Sequence, residues 1–215
     1  MSIEIYHCEH SRGMRPIWTA EELGIKYSVK MLPFPPRVHK KEFLKINILG
    51  TIPYMIDGSI KMTESVAMSQ YIVDKYGPTK LKVDNTEDDY GSYLNWLHHS
   101  DATLTFPQTI FMRYKLFEPG IADNAAIGYR KWFVSRLRLL EKELANREYL
   151  CSDRFTIADI CVGYALYLAR FIKIDEAFTP NIKRWTDAIF ERNSFKKIKL
   201  LKLEESNNQD HKTQL

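Results

Sequence analysis

The 215-residue chain is 45% apolar and 27% charged, the composition of an ordinary globular protein with enough length for one large core or two small ones. Its net charge of +4 is too mild to single out a nucleic-acid partner, and Lys196, Lys197, Lys199 and Lys202 come without an aromatic or glycine-rich binding motif. No stretch reaches the ~18–20 apolar residues of a membrane span, no basic segment precedes an apolar one at the start, and three scattered cysteines, Cys8, Cys151 and Cys161, point to a reducing, cytoplasmic setting without a disulfide frame.

Ile3-Glu4-Ile5-Tyr6-His7 alternates with period two and predicts a half-buried strand. The loop His10-Ser11-Arg12-Gly13 follows, and Met14, Ile17, Trp18 and Leu23 then recur at helical spacing up to a stop at Gly24. Tyr27 to Leu32 reads as a second strand, which Pro33, Pro35 and Pro36 break into a loop. Glu42 to Ile46 predicts a short helix. Tyr54–Ile56 and Ile60–Met62 form a hairpin around Asp57-Gly58, and a helix starts at Ser65. The order is β-α-β-α-β-β-α over residues 1–77.

Pro78 to Thr86 reads as a linker, and only helical patterns follow it, over 87–205. Asp88 to Thr105 is one long candidate that Pro107 bends or ends. Trp132, Phe133, Leu137, Leu140 and Leu144 make an apolar stripe. Thr156-Ile157-Ala158-Asp159 has the form of a capping box, with Asp159 in place of the usual Glu or Gln, ahead of the apolar run Ile160 to Leu168. Pro180 to Arg192 is another helix. The polar end of the chain, 206–215, is expected to be disordered.

Three local patterns carry a resemblance. Gly50-Thr51-Ile52-Pro53-Tyr54 runs through Asp57-Gly58 into Thr63-Glu64-Ser65-Val66-Ala67-Met68. Phe155-Thr156-Ile157-Ala158-Asp159 opens an apolar helix. A strand, the Ser11 loop, a helix and Leu23-Gly24 follow one another at the start. Together they resemble the cytosolic glutathione transferase family, over nearly the whole chain to about Leu203. The likeness is to a theta-like, serine-type member of bacterial look. It implies a thioredoxin-like α/β N-terminal domain with an all-α C-terminal domain, glutathione as co-substrate, no metal, and a homodimer that takes a small hydrophobic electrophile. A lyase, isomerase or peroxidase on the same scaffold, or a non-catalytic ligand-binding protein, stays open as an alternative.

The resemblance also assigns residues. Pro53 corresponds to a cis proline, which would turn the Ile52 backbone toward a peptide ligand. Ser65 and the free N–H groups of its helix start would take the γ-glutamyl carboxylate, with Glu64 beside the ammonium. His39, Lys40 or Arg37 would face the glycine carboxylate. Ser11, thirteen residues before Gly24, matches the serine that stabilises the glutathione thiolate, and Arg15 the arginine of the helix behind it. Tyr6 and Cys8 remain alternatives to Ser11. Asp101 corresponds to an acid that reaches the glutathione amine across the dimer. Trp96, Phe106, Phe111 and Tyr114 are candidates for the second-substrate pocket. Taken singly, Ser11 or Ser65 would be only a helix cap and Pro53 an edge-strand proline. His98-His99, adjacent on a helix, point to different sides and make no metal site.

Overall fold

The structure is a computed structural model and describes residues 3–202. The tail 206–215, and the end of the helical region at 203–205, lie outside the described residues.

A four-stranded sheet forms from β1 (Ile3–His7), β2 (Tyr27–Met31), β3 (Tyr54–Asp57) and β4 (Ile60–Met62), in the order β2-β1-β3-β4. β1 runs parallel to β2 and antiparallel to β3, and β4 closes the hairpin against β3. Two helices, α1 (Met14–Leu23) and α3 (Ser65–Lys75), contact each other beside this sheet. Ile3, Ile5 and Met55 meet Met14, Ile17, Trp18, Met68 and Ile72 in one core. The alternation of β1 sends Tyr6 to the other side, onto Phe43 at 5.3 Å between ring centres. The proline loop is not structureless: Pro36–His39 forms the short helix α2, followed by a 3₁₀ turn at Lys41–Lys45. Pro36 opens α2, where a missing N–H costs nothing.

The connector to the helical region is packed rather than free. Leu81 and Val83 are buried, the Leu81 carbonyl accepts the Ile157 N–H, and Arg154 donates to the Lys80 and Lys82 carbonyls.

The helix after the connector departs from expectation. α4 (Tyr90–His98) widens into a π segment at His99–Thr105, continues as α5 (Phe106–Met112) and widens again at Arg113–Phe117. Pro107 does not end it. The π turn before it relieves the clash between the proline ring and the carbonyl four residues back, and the missing N–H falls in the first turn of α5.

α6 (Asp123–Leu144) buries Phe133, Leu137, Leu140 and Leu144, but Trp132 is out of phase with them and half exposed. α7 (Ile157–Phe171) is buried all round along Ile157–Ala169 and forms the centre of the helical region. Gly163 lets α7 come close to its neighbours: a Cβ there would meet Ile189 at 2.7 Å and Trp18 at 3.4 Å. α8 (Pro180–Phe190) and α9 (Asn193–Lys199) are the last helices among the described residues, and α9, the helix that carries Lys196, Lys197 and Lys199, sets Phe195 on Trp18 at 4.8 Å.

Thr156 is the N-cap of α7, and the capping box is complete with Asp159 as its acid. Asp159 accepts from Thr156 N–H at 2.8 Å, Thr156 Oγ1 at 3.1 Å and Leu150 N–H at 3.0 Å, all buried. Asp159→Ala strands two backbone donors and breaks the capping box. We expect a loss of about 3 kcal/mol in unfolding free energy, read as a lower denaturant midpoint at unchanged slope.

Candidate functional site around Ser11 and Arg15

β1 ends at His7, and the turn that follows folds back on itself. Ser11 N–H donates to the Cys8 carbonyl at 3.1 Å, and Met14 N–H donates to the Ser11 carbonyl at 3.1 Å. The Ser11 hydroxyl lies 3.0 Å from His7 Nδ1 and accepts from Gly13 N–H at 3.4 Å. The α1 N-cap falls on Gly13, so no side chain caps that helix. His10 pins the turn to α7, and its Nδ1 lies 2.5 Å from the Tyr167 hydroxyl. The His10 ring stacks on Phe171 at 4.0 Å, and the His10 carbonyl accepts from the Tyr164 hydroxyl at 3.1 Å.

Arg15, one turn further along, is fully buried. Its Nη1 donates to Ser65 Oγ at 2.9 Å and to Asp101 Oδ1 at 2.8 Å. Its Nη2 donates to Thr105 Oγ1 at 2.8 Å and to the Ser100 carbonyl at 3.2 Å, and Nε donates to the Cys161 carbonyl at 3.3 Å. The guanidinium sits 4.7 Å from the Tyr164 ring centre. One side chain therefore fastens α1 to the start of α3, to the first π segment and to α7. The π winding turns the Ser100 carbonyl, Asp101 and Thr105 to the same guanidinium.

Arg12 adds a second cation to Asp101, at 3.1 Å, and donates to Thr109 Oγ1 at 2.9 Å. Burial opposes the Asp101 charge, but the Arg15 and Arg12 guanidiniums outweigh it and hold the carboxyl below its ordinary range. Both arginines spend their charge on Asp101, so neither is a freely solvated cation at a helix start.

The Ile52–Pro53 peptide is cis, as the resemblance implied. Continuing the β1–β3 register beyond Tyr6 and Tyr54 brings this pair to the end of β1 from which the Ser11 turn leaves. No hydrogen bond to the Ile52 backbone forms among the described residues. Ser65 is the first residue of α3 and is buried, while Glu64 is exposed, and no side chain caps the helix. Ser65 Oγ accepts from Arg15 and keeps its own proton to donate.

Arg15 joins Ser65 and Asp101, with Ser11 one turn before it in the chain, and His39 and Lys40 are exposed. Arg37 lies against the segment that leads to Ile52, since a Cβ on Gly50 would meet Arg37 Cβ at 2.7 Å.

The four aromatic candidates do not gather. Trp96 is buried in the helical core with its ring against His99 at 5.1 Å, and Phe111 lines a cavity of about 410 Å³ with Ala126 and Ile174. Phe106 lies on Tyr129 of α6, and Tyr114 under Arg113. The helix face toward the Ser11 turn is set by Asp101, Thr105 and Thr109, which the aromatic residues at 96, 106, 111 and 114 do not follow. One exposed aromatic pair that spans the two regions is Phe34 and Phe117. They are 54% and 55% exposed, with ring centres 5.8 Å apart. Neither was singled out from sequence, because no periodicity links a proline loop to the end of a distant helix.

Of the alternatives to Ser11, Tyr6 faces Phe43 across the sheet, and burial followed by Glu4 pushes its pKa up to about 12. Cys8 is buried with its thiol donating to the Pro33 carbonyl at 3.5 Å, and burial pushes that thiol up to about 12. Neither presents a reactive group to the turn. His98 is exposed and His99 packs on Trp96. No group of three or more potential metal ligands forms among the described residues. No helix among them is long and apolar enough to cross a membrane.

The family model described as "Glutathione S-transferase, N-terminal domain" matches residues 5–80, and "Glutathione S-transferase, C-terminal domain" matches 135–193. The chain is 26% identical over 208 residues to Glutathione S-transferase 3 of Schizosaccharomyces pombe, covering 88% of this chain and 84% of that one. Among solved structures it is similar to the glutathione transferase URE2P6 of Phanerochaete chrysosporium in complex with oxidized glutathione. There the identity is 27% and the TM-score 0.80, over 92% of this chain and 94% of that one. Poplar glutathione transferase F1 is also similar, with 26% identity and a TM-score of 0.78 over 92% and 96% of the two chains.

Proposed function

The chain belongs to the glutathione S-transferase family, and from that premise we propose that it is a serine-type enzyme that holds the glutathione thiolate at Ser11 and conjugates it to a small hydrophobic electrophile. The observation that carries this reading is the Arg15 bridge. It ties α1, the helix that follows the Ser11 turn, to Ser65 at the start of α3, which supports placing a hydroxyl suited to a thiolate and a helix N-terminus suited to a carboxylate on one wall.

Glutathione then lies along that wall. Its γ-glutamyl carboxylate meets Ser65 and the uncapped N–H groups of α3, and its ammonium meets Glu64. The cysteinyl backbone pairs with Ile52 beside Pro53 as an added strand would. His39 or Lys40, or Arg37 beside Gly50, faces the glycine carboxylate. Asp101 Oδ2, which bonds nothing among the described residues, is left for the glutathione amine of a neighbouring subunit in a two-fold dimer. This assigns 1–77 to the glutathione-binding domain, 78–86 to the linker and 87–205 to the helical domain of a cytoplasmic enzyme.

Chemically the site has little to do. A free thiol of pKa about 8.5 is mostly protonated at neutral pH. A hydroxyl donor and the positive end of α1 favour the thiolate, whose proton leaves to solvent. The sulfur lone pair forms the bond to the electrophilic carbon, and the electrons of the bond that breaks leave with the displaced group.

Calorimetry with glutathione, paired with the thiolate difference spectrum at neutral pH, tests the proposal. Binding with a lowered thiol pKa supports it. Binding with no thiolate overturns the serine mechanism, and no binding overturns the site. Phe34 and Phe117 supply the apolar surface for the electrophile. Phe117→Ser is expected to raise KM for an aromatic electrophile about tenfold, the worth of one large buried contact, with KM for glutathione unchanged. An equal rise in both constants would place Phe117 elsewhere.

A further inference from the structure

Two groups converge on the Ser11 oxygen, and one of them has no other evident use. His7 closes β1 on the inward side of the alternation and is almost fully buried, with Nδ1 3.0 Å from Ser11 Oγ. Gly13 N–H approaches the same oxygen at 3.4 Å. Gly13 also makes room for the imidazole, since a Cβ there would stand 2.4 Å from His7 Nδ1.

A neutral imidazole carries one proton, and the two tautomers give Ser11 opposite roles. With the proton on Nε2, Nδ1 accepts the serine proton and the hydroxyl has nothing to offer an anion. With the proton on Nδ1, the ring donates to Oγ alongside Gly13 N–H. Both lone pairs of the oxygen are then occupied, and its proton is the only group left to give.

We propose that His7 is a positioning residue of the transferase reaction: it donates Nδ1–H to Ser11 Oγ and so leaves the Ser11 proton for the glutathione sulfur. The proposal rests on the reading of Ser11 as the thiolate's donor.

Burial, followed by the charge of His10, pushes the His7 pKa down to about 4, so at neutral pH the ring is uncharged and carries a single proton. His7 also lines a small crevice with Glu9, His10, Tyr167, Lys199 and Lys202. Donation into Oγ also polarises the hydroxyl, which makes it a stronger donor to an anion.

The test uses His7→Leu, His7→Asn, Ser11→Ala and the double variant His7→Leu/Ser11→Ala. An asparagine amide can place its NH₂ where Nδ1–H stood, and leucine cannot. His7→Leu is expected to cut the thiolate fraction of bound glutathione at neutral pH about tenfold, one unit of thiol pKa, with glutathione affinity held within about twofold. His7→Asn keeps most of the thiolate, and the double variant is no worse than Ser11→Ala alone. Nitrogen-15 spectra of the wild-type complex with glutathione are expected to show the His7 proton on Nδ1.

A proton on Nε2, an asparagine variant as impaired as leucine, or additive losses in the double variant each overturn the proposal. Should His7→Leu fail to fold, the asparagine variant and the nitrogen spectra still decide. A wild-type protein that binds glutathione without forming thiolate overturns the Ser11 reading and this proposal with it. A wild-type thiolate that His7→Leu leaves intact overturns this proposal alone.

Discussion

Ser11→Ala is expected to lower kcat/KM for conjugation at neutral pH by about 10²-fold while moving KM for glutathione little. The substitution removes one hydrogen bond to a charged sulfur, worth about 1.5–3 kcal/mol, and preorganised donors of this kind cost on the order of 10²–10³ when lost. Its mark is in the pH profile. The bound thiol pKa rises by about 1–2 units, so turnover that is lost near neutrality returns as pH climbs past the new value. Ser11→Thr keeps a hydroxyl and is expected to recover most of the rate. Full turnover in Ser11→Ala at neutral pH would remove the mechanism proposed for this site.

Arg15→Met is expected to be the most destabilising single change at the site. The guanidinium is fully buried and donates to Ser65, Asp101, Thr105 and two carbonyls from three parts of the chain. Methionine matches much of the stem but strands those acceptors and leaves Asp101 with Arg12 alone. Breaking a buried pair in this way costs about 3–5 kcal/mol. Arg15→Lys is expected to recover little, because an ammonium cannot reproduce the planar fork. Pairing Arg15→Met with Asp101→Leu should cost less than the sum of the two, since the second change removes the charge that the first left uncompensated. Denaturant unfolding measures all three. A loss below about 1 kcal/mol for Arg15→Met would show that water or Arg12 replaces the bridge.

These two expectations differ in how far the sequence foretold them. The turn that carries Ser11 was legible because it belongs to a local pattern: a period-two strand, a four-residue loop and a helix with a glycine stop. The role proposed for Ser11 came only with the resemblance. Thr156 and Asp159 were legible for the same reason, since a capping box is complete within four residues. Arg15 was read only as the arginine of the helix behind Ser11. Its partners lie 50, 86 and 90 residues away at Ser65, Asp101 and Thr105, and no local pattern announces them.

Of the aromatic candidates that the resemblance offered, Trp96 and Phe111 belong to the core. Two π segments shift the face that the helix presents, and no spacing counted on the sequence announces them. His7 carried a signal that went unused, a polar residue at an inward position of a half-buried strand. Reading it required knowing that the turn after β1 brings Ser11 back to 3.0 Å from the ring.

By itself, then, the sequence determined the order of strands and helices in the first unit, the helical character of the second, the α7 cap and the Ile52-Pro53 and Glu64-Ser65 stretches. The elements and the cap are written in backbone hydrogen bonds and apolar periods that close within a few residues, and the two stretches were read through the resemblance. Tertiary structure alone decided that Arg15 would be buried rather than solvated, that Phe34 and Phe117 would meet, and that His7 would address Ser11. Those outcomes depend on which surfaces the core brings together, and packing selects partners by shape and desolvation rather than by distance along the chain.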